Sequence, residues 1–349
     1  VDVWRGDAFG RPSADASRRL LEMIGASWMT QAITAAAELR IADQLAACPM
    51  TADALAPAAG CDPASLRRLL RALASLDVTR EQDDGTFALT EMGALLRSDR
   101  QPGLRSWAMW WGRHLWPVWG DLRQSVQSGR SARELATGRS GYAHLEADPE
   151  AATVFNAAMV ELTALFSGEL DRVVDFSAVR HVIDVGGGYG ELLARILCAN
   201  PALRGTLFDL PHALSGAKAR LHQAGVADRC EFVGGDFFES VPSGGDLYLL
   251  KSVLHNWDDE KCGVILRRCR QAMRHGARLV LVERVLPERM RSCAADRTVA
   301  RADLNMLIGV GGRERSRAEL AAMLGVAGFT MMQLVPTPLE LSVIEARMA

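Results

Sequence analysis

The stretch Asp184-Val185-Gly186-Gly187-Gly188-Tyr189-Gly190 follows a short β-branched run that begins at His181, and it precedes the amphipathic segment that opens with Glu191-Leu192-Leu193. A strand, a glycine turn and a helix in that order bring backbone N–H groups and a helix N-terminus up to a ligand. Several nucleotide-binding folds use such a turn, so the spacing has to discriminate. Asp184-x-Gly186-x-Gly188-x-Gly190 fits D-x-G-x-G-x-G. The dinucleotide pattern G-x-G-x-x-G fails, because its last position falls on Glu191 counted from Gly186 and on Leu193 counted from Gly188. No Gly-Lys-Ser/Thr follows, which excludes a Walker A loop.

Beyond the turn, short apolar runs alternate with amphipathic helices. Gly205–Asp209, Cys230–Val233, Leu247–Leu250 and Arg278–Glu283 predict successive parallel strands of a doubly wound, Rossmann-like α/β sheet. Phe329–Val335 and Leu339–Glu345, joined by Pro336-Thr337-Pro338, predict an antiparallel pair at one edge. Before the turn the chain reads as helical. Thr51 caps a short helix, Gly60-Cys61-Asp62-Pro63 turns, and a second helix, Ala64–Leu76, points Leu66, Leu69, Leu70 and Leu76 inward and Arg67, Arg68 and Arg71 outward. Val78–Arg80 and Thr86–Leu89 then form a hairpin, which completes the order of a winged helix. Five of the eight tryptophans fall within residues 101–125, and a long helix runs from about Pro149 to Leu170. Three segments follow from this reading: 1–100 helical and winged-helix, 101–172 a helical linker lining a substrate pocket, and 173–349 the ligand-binding sheet.

Composition narrows the partners. A net charge of −2 over 349 residues gives no basic excess for a polyanion. The seven cysteines show neither a CxxC pair nor zinc spacing, so reduced thiols in a cytoplasmic protein and no metal are expected. Val1–Arg5 lacks the start of a signal peptide, and apolar runs such as Leu247–Leu250 are too short to span a bilayer.

The next strand ends identify the ligand. Asp209, with Leu210, lies 19 residues after Gly190 and offers a carboxylate that can accept both hydroxyls of a ribose. Gly235-Asp236-Phe237 offers an acceptor for an adenine amino group and an aromatic face for its ring. Without a phosphate signature, Asp184, Gly186, Gly188, Gly190, Asp209, Leu210, Asp236 and Phe237 read as an S-adenosylmethionine site. Asp209 and Asp236 as simple helix caps is the competing reading. The fourth strand runs into Lys251-Ser252-Val253-Leu254-His255-Asn256-Trp257-Asp258-Asp259-Glu260, which sets His255 just past a carboxyl end of the sheet. A phenol has a pKa near 10, and an imidazole titrating near neutrality can take its proton as the oxygen attacks a methyl group.

Leu254–Glu260, together with Asp184–Gly190, Phe208-Asp209-Leu210-Pro211, Gly235-Asp236-Phe237-Phe238 and Gly311-Gly312-Arg313-Glu314-Arg315-Ser316, resembles the caffeate-type O-methyltransferase family over nearly the whole chain. That family includes plant phenylpropanoid enzymes and bacterial enzymes acting on aromatic polyketides and phenazines. The resemblance implies His255 as general base, Glu283 and Glu314 as the acids that hold it, and Lys251 and Ser252 near the cofactor. It also implies a homodimer with a swapped N-terminal region, and antibiotic or other secondary metabolism as the setting. Asn256 stands where many plant members have Asp.

Helices facing the carboxyl edge supply the expected substrate contacts: Trp107, Trp110 and Trp111, then Phe155, Asn156, Met159 and Phe166, and finally Asn305, Met306 and Ile308. Two rivals stay open. One is N- or C-methyl transfer; the other is a winged-helix DNA-binding regulator that senses S-adenosylmethionine.

Overall fold

A computed structural model describes residues 13–349; Val1–Arg5, read above for a targeting segment, lie outside the described residues. Two compact units divide the chain, one ending at Arg113 and one running from His114 to Ala349. The linker expected over 101–172 is therefore shared between them.

In the first unit, helix Ala52–Ala59 starts at Thr51, whose hydroxyl accepts from the Ala54 N–H, and helix Pro63–Ser75 starts at Asp62 in the same way. Strands β1 (Thr79–Glu81) and β2 (Phe87–Leu89) pair antiparallel. Leu55, Leu66, Leu70, Leu73 and Phe87 meet in the core of this winged helix. Arg67 and Arg71 of the second helix both face Glu81 on β1.

The second unit carries β3 (His181–Val185), β4 (Arg204–Asp209), β5 (Cys230–Gly234), β6 (Leu247–Lys251), β7 (Arg278–Glu283), β8 (Val285–Leu286), β9 (Arg315–Ser316), β10 (Phe329–Pro336) and β11 (Ser342–Met348). Seven of them form one sheet in the order β10-β11-β7-β6-β3-β4-β5. β7, β6, β3, β4 and β5 are mutually parallel, and β11 is antiparallel to both neighbours. The last strand starts at Ser342, three residues later than expected, because Glu340 takes a left-handed φ of 63° and extends the turn after Pro338.

Alternation along the strands builds both layers. Val182, Leu249, Val280 and Val282 enter one apolar cluster, while Ile183, Val185, Tyr248, Leu250, Leu279 and Leu281 enter another. Each central strand therefore reads as a continuous apolar run buried on both faces. The helix Pro149–Val173 buries Phe166 and Leu170 in the first of these clusters. By length and composition it is apolar enough to cross a membrane, which short apolar runs in the sequence had not suggested. The ladder pairing β8 with β9 was not foreseen, and it brings the Glu314 segment back beside the end of β7.

Candidate active site

The carboxyl ends of β3, β4, β6 and β7 deliver Val185, Asp209, Lys251 and Glu283 to one edge of the sheet. Beside this edge lies a cavity of about 480 Å³ in the second unit. On one side it is lined by Asp184, Gly186, Gly187, Gly188, Asp209, Leu210, Phe237, Lys251 and Ser252. On the other it is lined by Tyr142, Phe155, Asn156, Met159, Val160 and Thr163.

Gly188 has a φ of +56°, and a Cβ there would meet nothing within 4 Å, so the backbone itself forms the cavity wall. Its N–H donates to Asp209 Oδ2 at 2.8 Å, and the Leu210 N–H donates to Oδ1 at 2.7 Å. The carboxylate of Asp209 is thus fixed by two backbone bonds. Burial raises its pKa, and those two bonds oppose the rise. Asp184 is 2% exposed, and its Oδ2 is buried without a partner. Burial, reinforced by Asp209 and opposed by Lys251, pushes its pKa up to about 7. Burial, then Arg284, brings Lys251 down to about 8 against the pull of Glu283 and Asp184. An unsatisfied buried carboxylate is costly, and this one faces a cavity that also holds a fixed acid and an aromatic edge, Phe237. That donor set fits a cationic amino-acid nucleoside such as S-adenosylmethionine.

Two predicted cofactor residues are not among the lining residues. The Oδ1 of Asp236 accepts from the Phe238 N–H and closes the local turn. Gly190 caps the helix Glu191–Ala199, where a Cβ would lie 2.6 Å from Leu221 Cδ1 and 3.0 Å from Leu207 Cδ2, so it serves close packing.

His255 is buried at 8% exposure and is not itself among the lining residues, although its neighbours Val253 and Asn256 are; its Nδ1 faces two carboxylates. Nδ1 lies 3.2 Å from Glu314 Oε1 and 3.7 Å from Glu283 Oε2. Both acids address the same nitrogen, which leaves Nε2 as the one that can accept a proton. Glu283 also holds the loop: its Oε1 accepts from the N–H groups of Val253 at 3.1 Å and Leu254 at 2.8 Å. Glu314 is 1% exposed, and its own N–H donates to Asp303 Oδ1. Burial by itself would lower the His255 pKa, but Glu314 and then Glu283 outweigh it and hold the imidazole above its usual value. Burial raises the Glu283 pKa, His255 lowers it and Glu314 raises it.

Among the expected substrate contacts, Phe155, Asn156 and Met159 line the cavity. Phe166 is fully buried against the sheet, and Ile308 packs with Val118 and Ala132, so both are core residues. Asn305 and Met306 sit half-buried on the helix Ala294–Gly309 and are not lining residues. Trp107, Trp110 and Trp111 belong to the first unit, where Trp110 is buried and the other two rings meet edge to face at 5.9 Å.

Three features escaped sequence reasoning. The Tyr142 hydroxyl donates to Asn256 Oδ1 at 2.9 Å, and Asn256 Nδ2 donates to Ser252 O at 3.0 Å, which explains an amide beside the histidine. Arg315, 2% exposed, donates to the carbonyls of Leu254 and Trp257. Gly312 lies against the His255 loop, and a Cβ there would be 2.0 Å from His255 O. Only the charge alternation around Glu314 hinted at the second of these.

The profile of an O-methyltransferase domain matches residues 119–330. The chain belongs to the O-methyltransferase family. A dimerisation domain of O-methyltransferases matches residues 21–99 of the first unit. This O-methyltransferase is 41% identical over 328 residues to "Phenazine O-methyltransferase PhzM" of Lysobacter antibioticus, covering 94% of this chain and 95% of that protein. It is 40% identical over 333 residues to the "3-amino-4-hydroxybenzoate 4-O-methyltransferase" of Streptomyces cremeus, covering 95% and 90%. The crystal structure of human N-acetylserotonin methyltransferase in complex with S-adenosylmethionine superposes with a TM-score of 0.90 at 26% identity, over 97% of this chain and 99% of that one. The O-methyltransferase is thus a member of an S-adenosylmethionine-dependent family whose relatives serve bacterial secondary metabolism.

Proposed function

We propose that the protein methylates a phenolic hydroxyl of an aromatic small molecule, such as an aromatic polyketide or a phenazine, with His255 as the general base. The observation that carries this reading is a buried imidazole whose Nδ1 faces two carboxylates, leaving Nε2 to take a proton. When bound, S-adenosylmethionine supplies a methyl group made electrophilic by its sulfonium.

Asp184, Gly186, Gly188, Asp209, Leu210, Phe237, Lys251 and Ser252 hold that cofactor. Glu314 and Glu283 keep the Nδ1 proton in place and stabilise the imidazolium that forms as Nε2 takes the phenol proton. Phe155 and Met159 give a flat ring an apolar wall, and Asn156 gives it a polar contact. Holding the acceptor oxygen in line is the protein's larger contribution, since proximity and orientation can supply up to ~7–11 kcal/mol. The name of the Streptomyces relative, which methylates the 4-hydroxyl of a benzoate, supports a phenolic acceptor.

The protein works as a cytoplasmic homodimer with a swapped N-terminal region. Arg67 and Arg71, offset by Glu81, argue against a DNA-binding role for the winged helix. The His255 cluster holds a proton rather than a metal ion.

The test is incubation with labelled S-adenosylmethionine and paired panels of hydroxylated and aminated aromatics, read by mass spectrometry, with and without EDTA. Transfer to a phenol in EDTA is expected, and His255→Ala should lower turnover by about 10²–10⁴-fold while cofactor still binds. Transfer confined to amines, full turnover by His255→Ala, or an EDTA loss reversed by a divalent ion would each overturn the corresponding part.

A further inference from the structure

Two carboxylates around one imidazole pose an electrostatic problem. Glu283 and Glu314 are both buried, each has an Oε2 without a hydrogen-bond partner, and a ring nitrogen and the two carboxyl groups come within 4.8 Å of one another. In a site of low effective dielectric, such an excess of negative charge would hold a proton on the ring and spoil it as a base. The end of β7 supplies a cation directly after Glu283. Arg284 Nη1 lies 3.9 Å from Glu314 Oε1, the same oxygen that faces His255 Nδ1 at 3.2 Å. Arg284 Nε is buried without a hydrogen-bond partner, so the guanidinium is seated by its charge environment rather than by a full set of hydrogen bonds.

We propose that Arg284 is a positioning residue for the base: lying against Glu314 Oε1, the oxygen that faces His255, it offsets the surplus negative charge around the ring. The inference rests on the reading of His255 as the base.

The other charged groups around the ring do not replace it. From β7 comes Glu283, and from the segment entering β9 comes Glu314. Arg315 is committed to Asp259 and to the Leu254 and Trp257 carbonyls. From the helix Ala294–Gly309, Asp303 adds a further acid by accepting the Glu314 N–H. At the end of β6, Lys251 answers Asp184 as well as Glu283. Consistent with the geometry, Arg284 is the cation that opposes the two glutamates at His255.

The experiment is an NMR titration of the histidine ring signals in the cofactor-free protein, with His255 assigned by comparison with His255→Gln, alongside pH profiles of kcat/KM. Arg284→Gln is expected to raise the His255 midpoint by about one pH unit and to cost about tenfold in kcat/KM below it. Arg284→Lys should restore most of the shift. Arg284→Leu, which keeps much of the aliphatic stem, gives the same reading if the glutamine variant does not fold.

An unmoved midpoint in the uncharged variants, or an equal shift in Arg284→Lys, would overturn the proposal. A moved midpoint in a protein that methylates only amines would instead sink the phenol assignment and leave the role of Arg284 standing.

Discussion

His255 is pulled in two directions. Burial disfavours the imidazolium, Glu314 and Glu283 favour it, and the carboxylates prevail, so the ring titrates above the ordinary histidine value of 6.5. Only the neutral ring accepts a proton. Activity must therefore rise with pH as the ring deprotonates, and kcat/KM is expected to show an acid limb centred above 6.5. Glu314→Gln removes the larger favourable charge and should move that limb down by about one unit. A limb below 6.5 in the wild type, or one indifferent to Glu314→Gln, would contradict this balance. His255, the proposed base, was legible in the sequence from its place just past a strand end, while Glu283 and Glu314 were named through the family resemblance. Asp236 shows what a strand-end position leaves open: it does not say whether a carboxylate faces the ligand or its own turn, and here the Phe238 N–H takes one of its two oxygens.

At the scale of elements, the site depends on joining the loop after β6 to the segment entering β9. Glu283 pins the first loop by two backbone bonds, and the Arg313 N–H donates to His255 O at 2.9 Å. Gly312 makes this approach possible, because an added Cβ would stand 2.0 Å from that carbonyl. Gly312→Ala is expected to destabilise the fold by about 1–3 kcal/mol through overpacking. It should also lower kcat/KM at pH values where the variant is fully folded, since Glu314 is displaced with the backbone. Denaturant midpoints measured beside kinetics check this, and wild-type values for both would refute it. Nothing in the sequence foretold the junction: β8 and β9 have two residues each, too few for any periodicity to register.

For the whole molecule the telling feature is a helix with no buried face. Ala14–Gly25 buries none of its residues, and Leu20, Leu21, Met23 and Ile24 are between 57% and 70% exposed. Burying such side chains is worth about 1.5–3 kcal/mol each, and the stretch overlaps the dimerisation match that begins at residue 21. In the proposed homodimer this face is covered by a second copy. Light scattering should then give twice the 37.9 kDa chain mass, and Leu21→Arg with Ile24→Arg should shift the protein to monomer. A double variant that remains dimeric would place the interface elsewhere.

The sequence by itself determined the doubly wound sheet, the glycine turn and the winged helix, and it pointed to the histidine proposed as the base. Those features are written in local period and spacing: strands buried on both faces read as apolar runs, and a turn that needs φ > 0 calls for glycine. Tertiary structure alone decided which nitrogen of His255 the acids address, that Asn256 is tied to Tyr142, and that Phe166 and Ile308 fill the core. It also set one oxygen of Glu314 between an imidazole and a guanidinium. These outcomes depend on where distant strands end relative to one another, and the register of a parallel sheet is set by packing across the whole layer rather than by any one segment.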